Sequence, residues 1–383
     1  MDPIDLNALP DDVHTGPFHD VQVAAGAGFY EDLGRLWTKS FGDPQSEYWA
    51  VRRGTGLWDI SALIKFHLTG SDVLPALDRL TTRAMLGAQP GTVRYGMVLN
   101  EKGLMLDEGT SLVLSAREAY FFGNDGSDTF LAHLADHTAD LDVQIGNVTD
   151  SIGSIAVQGP GSLELLAGLT DADIGGLRWF HLLPERIEIA GAHGLLVRAG
   201  FTGELGYEFY LVDGHAGAKS LWGSVVEAGA RPIGLDAIEM LRVEAGLVIA
   251  EEDYLPGETN PYDLSLERYI DLEGHEFIGR DACVVTAAAP PRRFVTLTLD
   301  SDGGAPRPGS VVRGDHAQVG VVTSAFVTPR FGALALAVVD AASAGDGTTL
   351  QVDGQPATVR PLPIDDPGKE RPRLDFRRRE NRP

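Results

Sequence analysis

The chain of 383 residues contains one cysteine, Cys283. An intramolecular disulfide, a cysteine-based zinc knuckle and a multi-cysteine iron–sulfur site are thereby excluded within one chain, and no oxidising compartment is needed. Cys283 itself reads as a small core residue. Basic residues are also scarce. Against 55 Asp and Glu stand 31 Lys and Arg, a formal charge of -24, and a polyanion of that size repels phosphate backbones, so nucleic acid is not an expected partner. The one basic cluster is the tail 371–383, with six Arg against Asp375 and Glu380. Such a run is a solvated terminus or a tether between subunits, which leaves a homo-oligomer open. The first twenty residues carry five Asp and no Lys or Arg, so the cationic start of a signal peptide is missing. No apolar run approaches the ~20 residues of a membrane span. The expected setting is the cytoplasm, with no membrane partner.

What is present is ordinary for a folded protein: 43% apolar and 22% charged residues, in a chain long enough for two or three cores. The acidic lead 1–20 reads as an extended arm. Residues 30–51 read as helical in part, broken at Pro44. Between Gly56 and Asp142 the pattern suits an α/β unit. Ile64 to Leu68 alternates as a strand, Leu74, Leu77 and Leu80 share a helix face, and Tyr95–Leu99 and Leu104–Leu114 flank the turn 100–103. Ile152 to Val157 is an apolar strand that ends at Gln158-Gly159-Pro160-Gly161, where Ser162 opens a helix. Ile187–Ala199 reads as a hairpin beside Leu205–Val212, and Asp236 with Glu239 forms a capping box. Beyond Pro291, short segments at 294–299, 318–324, 333–339 and 348–352 predict a small all-β domain.

Familiar catalytic motifs fail. In the glycine-rich stretch Gly26-Ala27-Gly28 the third glycine of a dinucleotide loop would fall where Glu31 stands, and no P-loop, H-E-x-x-H or G-x-S-x-G is present. The ten His do not fall into metal-ligand spacing, so no metal is expected. What remains is a set of carboxylates in apolar strands. Alternation sends Asp107 and Glu108 to opposite faces and places Glu108 with Leu104 and Leu106. Glu208 lies between Tyr207 and Phe209 and shares a face with Tyr210 and Val212, in a strand apolar on both sides. A carboxylate in such a place must meet specific donors or bear a desolvation cost of several kcal/mol, on the order set by. Composition and spacing alone stop at a multidomain α/β protein with an acidic small-molecule site.

The stretch Tyr95-Gly96-Met97-Val98-Leu99-Asn100-Glu101-Lys102-Gly103-Leu104-Met105-Leu106-Asp107-Glu108 resembles the glycine cleavage T-protein (aminomethyltransferase) family. So do, in order, Gly56-Leu57-Trp58-Asp59-Ile60-Ser61, Val157-Gln158-Gly159-Pro160, Gly200–Glu208, Gly234-Leu235-Asp236-Ala237, Leu241–Gly246, Phe277–Arg280 and Gly320–Ser324. The resemblance covers about residues 48–359. It implies an α+β fold, a three-domain ring of two ferredoxin-like α/β domains and a C-terminal β-barrel, with tetrahydrofolate in the central hole. On that pattern residues 1–55 and 145–285 form the folate-binding domain, 56–144 the second domain, 286–370 the barrel and 371–383 the basic tail. Position by position, the resemblance implies that Glu208, Tyr95, Asn124 and Phe201 bind the folate and that Glu108 and Tyr95 are catalytic. Three departures stand out. Ile238 replaces an Arg and Ala62 a His, and Glu108 is one methylene longer than the family's Asp. With Glu47-Tyr48-Trp49, they favour the family's tetrahydrofolate-dependent demethylases, which take a methyl from an N-, O- or S-methyl small molecule. The alternatives are the aminomethyltransferase itself and a non-catalytic folate-binding regulatory protein.

Overall fold

Period-two alternation in the middle of the chain builds two sheets that are each covered by helices on one face and meet through the other. The structure is a computed structural model and describes residues 13–300, 304–315 and 317–374. The first sheet runs, in pairing order, His181–Leu182, Ala192–Arg198, Gly206–Leu211, Gly153–Gln158, Gly56–Asp59 and Arg231–Pro232, with Ile187–Ile189 also paired to Ala192–Arg198. The second runs Val93–Leu99, Met105–Ser115, Glu118–Gly123, Ile64–Thr69 and Gln144–Asn147. Helices Val73–Leu80 and Asp128–Asp136 cover the second sheet's outer face, where Leu74, Leu77, Phe130 and Leu134 pack on Phe66, Val98, Val113 and Phe121. Helix Ala218–Glu227 covers the outer face of the first sheet on Leu196, Phe209 and Leu211. The inner faces bury Trp58, Ala156, Val197 and Tyr210 against Leu112, Tyr120 and Phe122. Each large apolar side chain removed from water here contributes roughly 1.5–3 kcal/mol.

The third body is a closed antiparallel barrel, Arg292–Leu299, Gly332–Asp340, Gln318–Thr328, Val311–Arg313, Thr349–Val352 and Gln355–Arg360. Helix Leu235–Ala245 lies against the barrel. It packs on the barrel strands Gln318–Thr328 and Gly332–Asp340, on strand Arg35–Ser40 and on helix Pro44–Arg53. Among the described residues no helix is long and apolar enough to cross a membrane.

Several expectations are corrected. Residues 28–40 form a hairpin, Gly28–Asp32 with Arg35–Ser40, and Pro44 does not break a helix but opens one. A proline fits the first helical position because its missing N–H has no intrahelical acceptor there, and the Asp43 carboxylate caps the turn by accepting from the Ser46 N–H at 3.1 Å. The capping box does not form: Asp236 pairs with Lys39 at 2.8 Å and Glu239 with Arg242 at 2.7 Å. Gly56–Asp59 pairs with Gly153–Gln158 and Gln144–Asn147 with Ile64–Thr69, so the crossings between sheets fall at 60–63 and 148–152, not at 56 and 144. The basic tail is held at its start. Arg198 donates to the carbonyls of Pro372 and Leu374 at 2.9 and 2.6 Å, and Arg371 pairs with Glu204 at 3.0 Å. The remainder of the tail, like the first twelve residues of the acidic arm, lies outside the described residues.

Candidate functional site

Glu108 stands on the inner face of the second sheet with Thr110 and Leu112, and an irregularity just before it changes its neighbours. Met97 pairs with Glu108, Val98 with Asp107 and Leu99 with Met105, so Leu106 is bulged out of the ladder. The expected partners of Glu108, Leu104 and Leu106, are therefore replaced. Met105 joins Met97 and Leu99 on the inner side, while Leu106 packs with Val98 under the helices. Asp107 folds back on the turn after Gly123. Its carboxylate accepts from the N–H groups of Glu108, Asn124 and Asp125 at 2.8, 2.9 and 3.2 Å, and from Asn124 Nδ2 at 2.9 Å. A Cβ at Gly123 would collide with this carboxylate, which explains the glycine.

Glu108 is only 9% exposed. It accepts from Asn124 Nδ2 at 3.2 Å and from the Tyr95 hydroxyl. Burial and the adjacent Asp107 charge push its carboxyl up to about 7 against those two donors, and burial pushes Asp107 up to about 6. A group near 7 can take or give a proton at neutral pH. Burial, with Glu108 beside it, pushes the Tyr95 hydroxyl well above its ordinary value, so Tyr95 orients the carboxylate and is a poor acid. Its ring stands edge-on to Tyr269, centroids 4.8 Å apart. The structure thus brings Tyr95, Glu108 and Asn124 together. The Asn124 amide nitrogen is committed to the two acids.

Glu208 lies across the inner space on the first sheet. The register places it in one row with Val197, Ala156 and Trp58. Gly206 admits the Gln158 side chain, with which a Cβ would collide, at the start of the strand. The Glu208 carboxylate accepts from the Tyr210 hydroxyl at 2.6 Å, its only hydrogen bond among the described residues. Burial raises its pKa, while Tyr210 and the fully buried Lys65 hold it down. Tyr210 touches Phe122 of the other sheet with centroids 4.5 Å apart. Phe122 pairs with Thr110, which shares the inner face with Glu108 two residues away. Phe201 packs beside this cluster.

The barrel supplies the last wall. Phe326 packs against both the Tyr210–Phe122 cluster and the cluster that holds Tyr95 and Met97. Among the described residues, the Trp58 indole N–H and the Tyr254 hydroxyl of these clusters are buried without a partner. Sequence reasoning gave Tyr254 no role, and it carries no signal beyond an aromatic ahead of Leu-Pro-Gly. An acceptor carboxylate, aromatic walls and orphan donors suit a flat heterocycle rich in hydrogen-bonding groups. Among the described residues no cluster of His, Cys, Asp and Glu could hold a metal ion.

Comparison with known proteins gives this arrangement a lineage. The GCVT N-terminal domain matches residues 18–274 and the glycine cleavage T-protein C-terminal barrel domain matches residues 292–365. The chain belongs to the glycine cleavage T-protein family. Members of this aminomethyltransferase family are one-carbon transferases that use tetrahydrofolate, and the present chain is an enzyme of that kind. The chain is 34% identical over 366 residues to a probable aminomethyltransferase of Natronomonas pharaonis, covering 92% of this chain and 99% of that protein. With the aminomethyltransferase of Saccharopolyspora erythraea it shares 32% over 345 residues, 88% and 93% of the two chains. With the trimethylamine-oxide aldolase of Ruegeria pomeroyi it shares 35% over 379 residues, 93% of this chain but 47% of that longer protein. The glycine cleavage system aminomethyltransferase T of Bartonella henselae superposes with a TM-score of 0.83 at 25% identity, covering 92% and 98% of the two chains. The expected α+β architecture with a C-terminal barrel is therefore the family's own.

Proposed function

We propose that this enzyme is a tetrahydrofolate-dependent demethylase that moves a methyl group from a small N-, O- or S-methyl compound to folate N5. The observation that carries the reading is the apolar character of the inner cluster at one of the positions where the resemblance expects a polar group. Ile238 is fully buried among Trp58, Tyr210 and Phe122. A site discriminates most strongly through the polar groups it offers, and an apolar Ile238 in place of an Arg suits an uncharged methyl donor. When bound, tetrahydrofolate supplies N5 as the acceptor of the one-carbon unit. Glu208 would hold the pterin by accepting from its amino group and ring N–H, as a parallel pair of charge-assisted hydrogen bonds. Phe201 and Phe326 would flank it. Glu108, poised near 7, would take the proton released at N5, with Tyr95 and Asn124 fixing the carboxylate.

A second reading, aminomethyl transfer, is favoured by relatives that match the chain over nearly their full length and bear the name aminomethyltransferase. The two differ in product. The experiment is a donor screen with tetrahydrofolate, comparing methylated amines, thioethers and aryl methyl ethers with aminomethyl-lipoyl carrier protein, read by mass spectrometry. Methyltetrahydrofolate is expected. Methylenetetrahydrofolate with ammonia release from the carrier protein would establish the second reading in its place.

A further inference from the structure

The start of the basic tail is a motif of the sequence that the central site does not use. Past residue 365, where the barrel domain ends, the chain brings Lys369 and Arg373 back beside Arg268. Among the described residues the Arg373 side chain donates only to the Gly368 carbonyl, at 3.4 Å, and neither Arg268 nor Lys369 forms an ion pair. The acid nearest to Lys369 is already taken. Asp366 accepts from the N–H groups of Glu370 and Arg371, both at 2.9 Å, and faces the Arg371 guanidinium at 3.6 Å. Burial and the charges of Arg268 and Arg373 push the Lys369 amine down to about 8. Three cations are thus gathered without an acid of their own in a chain of net charge -24. Like charges held together repel, and an anion that joins them relieves the repulsion.

Two aromatic walls lead from the site to this cluster. Along the first, Glu108 is buried, Tyr95 and Tyr269 are half-buried and Arg268 is exposed. Tyr95 meets Tyr269 edge-on, and the Arg268 guanidinium stands 4.7 Å from the Tyr269 ring centre. Along the second, Phe180 packs on the inner cluster and Trp179 stands edge-on to Phe180 with centroids 4.7 Å apart. The Arg373 guanidinium ends this row, 4.6 Å from the Trp179 ring centre. A bridge between Thr92 and His181 keeps the second wall beside the strand of Tyr95. A guanidinium laid on a ring keeps the N–H groups at its rim free for a carboxylate.

We propose that Arg268, Lys369 and Arg373 bind the outer glutamates of an oligoglutamate tail on the folate, so that the enzyme prefers the polyglutamylated cofactor to the monoglutamate. The proposal rests on the reading that seats the pterin against Glu208. With the pterin buried there, the benzoyl spacer carries the glutamate end outward along the aromatic walls. Each further γ-linked glutamate adds one free carboxylate on a flexible chain, which gives the three cations the partners they lack. The tail adds affinity and takes no part in the chemistry.

The test is calorimetry on the full chain with tetrahydrofolate carrying one or five glutamates. The five-glutamate form is expected to bind about tenfold tighter, roughly twofold for each cation, as solvent-facing ion pairs do. Raising the salt from about 0.02 to about 0.3 M should remove most of that gain, because the cluster is open to screening. Joint replacement Arg268→Gln, Lys369→Gln and Arg373→Gln should abolish the gain and leave monoglutamate affinity within about twofold. If the triple variant melts several degrees lower, Lys369→Gln alone decides, with an expected loss of about twofold from the gain and none from monoglutamate affinity. Equal affinity of the two forms in the parent, or a gain that survives the substitutions, would overturn the proposal. Monoglutamate binding that Glu208→Gln weakens shows in that event that the pterin reading stands. A parent that binds neither form sinks both.

Discussion

Two carboxyls on successive residues, both buried, cannot both ionise cheaply: burial pushes up Asp107, and burial with the Asp107 charge beside it pushes up Glu108. Glu108 rises from an ordinary 4.5 to about 7 and Asp107 from 3.8 to about 6. In the window between the ordinary and the raised values the native state keeps protons that the unfolded chain has released, so stability falls as pH rises from about 4 to about 7. The part due to Glu108 is at most about 3 kcal/mol. Glu108→Gln cannot ionise, and urea denaturation at about pH 5 and about pH 8 should show a smaller difference for it than for the parent. An identical difference in both would place the titration elsewhere. Across the site, Glu208→Gln turns an acceptor into a donor facing donors and is expected to weaken folate binding by about 1–3 kcal/mol in a calorimetric titration. Its place beside Tyr210 was legible in the sequence, because strict alternation from Leu205 to Val212 fixes which residues share a face. The partners of Glu108 were not, because alternation assumes a ladder without the extra residue at Leu106.

Elements meet through buried ions as well as apolar faces. Arg242 is fully buried on helix Leu235–Ala245 and reaches Glu239, Glu252 and Asp253 at 2.7, 2.8 and 2.6 Å and the Ser324 hydroxyl at 2.8 Å. It ties helix, loop and barrel at one point. Arg242→Ala leaves Glu239 and Asp253 buried without their cation, and a loss of about 3–5 kcal/mol is expected by urea denaturation. A loss under about 1 kcal/mol would mean that the acids simply take up protons. Patterns of local period predicted the strands and the helix at Leu74–Leu80 because each is specified by its own residues. They failed at residues 28–40, where Phe29, Tyr30, Leu36 and Trp37 satisfy neither period cleanly and tertiary packing decides. The same limit hid Tyr254: its position depends on Arg242, Thr323 and Met105, groups remote in the chain.

At the scale of the molecule the C-terminal segment returns from the barrel to the first sheet. Arg198, 3% exposed, holds the Pro372 and Leu374 carbonyls, and Arg373 stacks over Trp179 with its guanidinium 4.6 Å from the ring centre. Deleting residues 371–383 removes both acceptors from a buried cation, and a loss of about 2–3 kcal/mol in denaturant unfolding is expected. Unchanged stability would mean that the segment only lies on the surface. The barrel has a wider effect through Phe326, which contacts both halves of the site, and through Thr323 and Ser324, which hold the residue next to Tyr254. During synthesis both paired acids and Glu208 leave the ribosome well before these barrel residues. A nascent chain that ends before residue 318 has every carboxylate of the site but not the aromatic wall or the anchored loop. The aromatic wall and the anchored loop therefore arrive only with strand Gln318–Thr328, after every carboxylate they enclose.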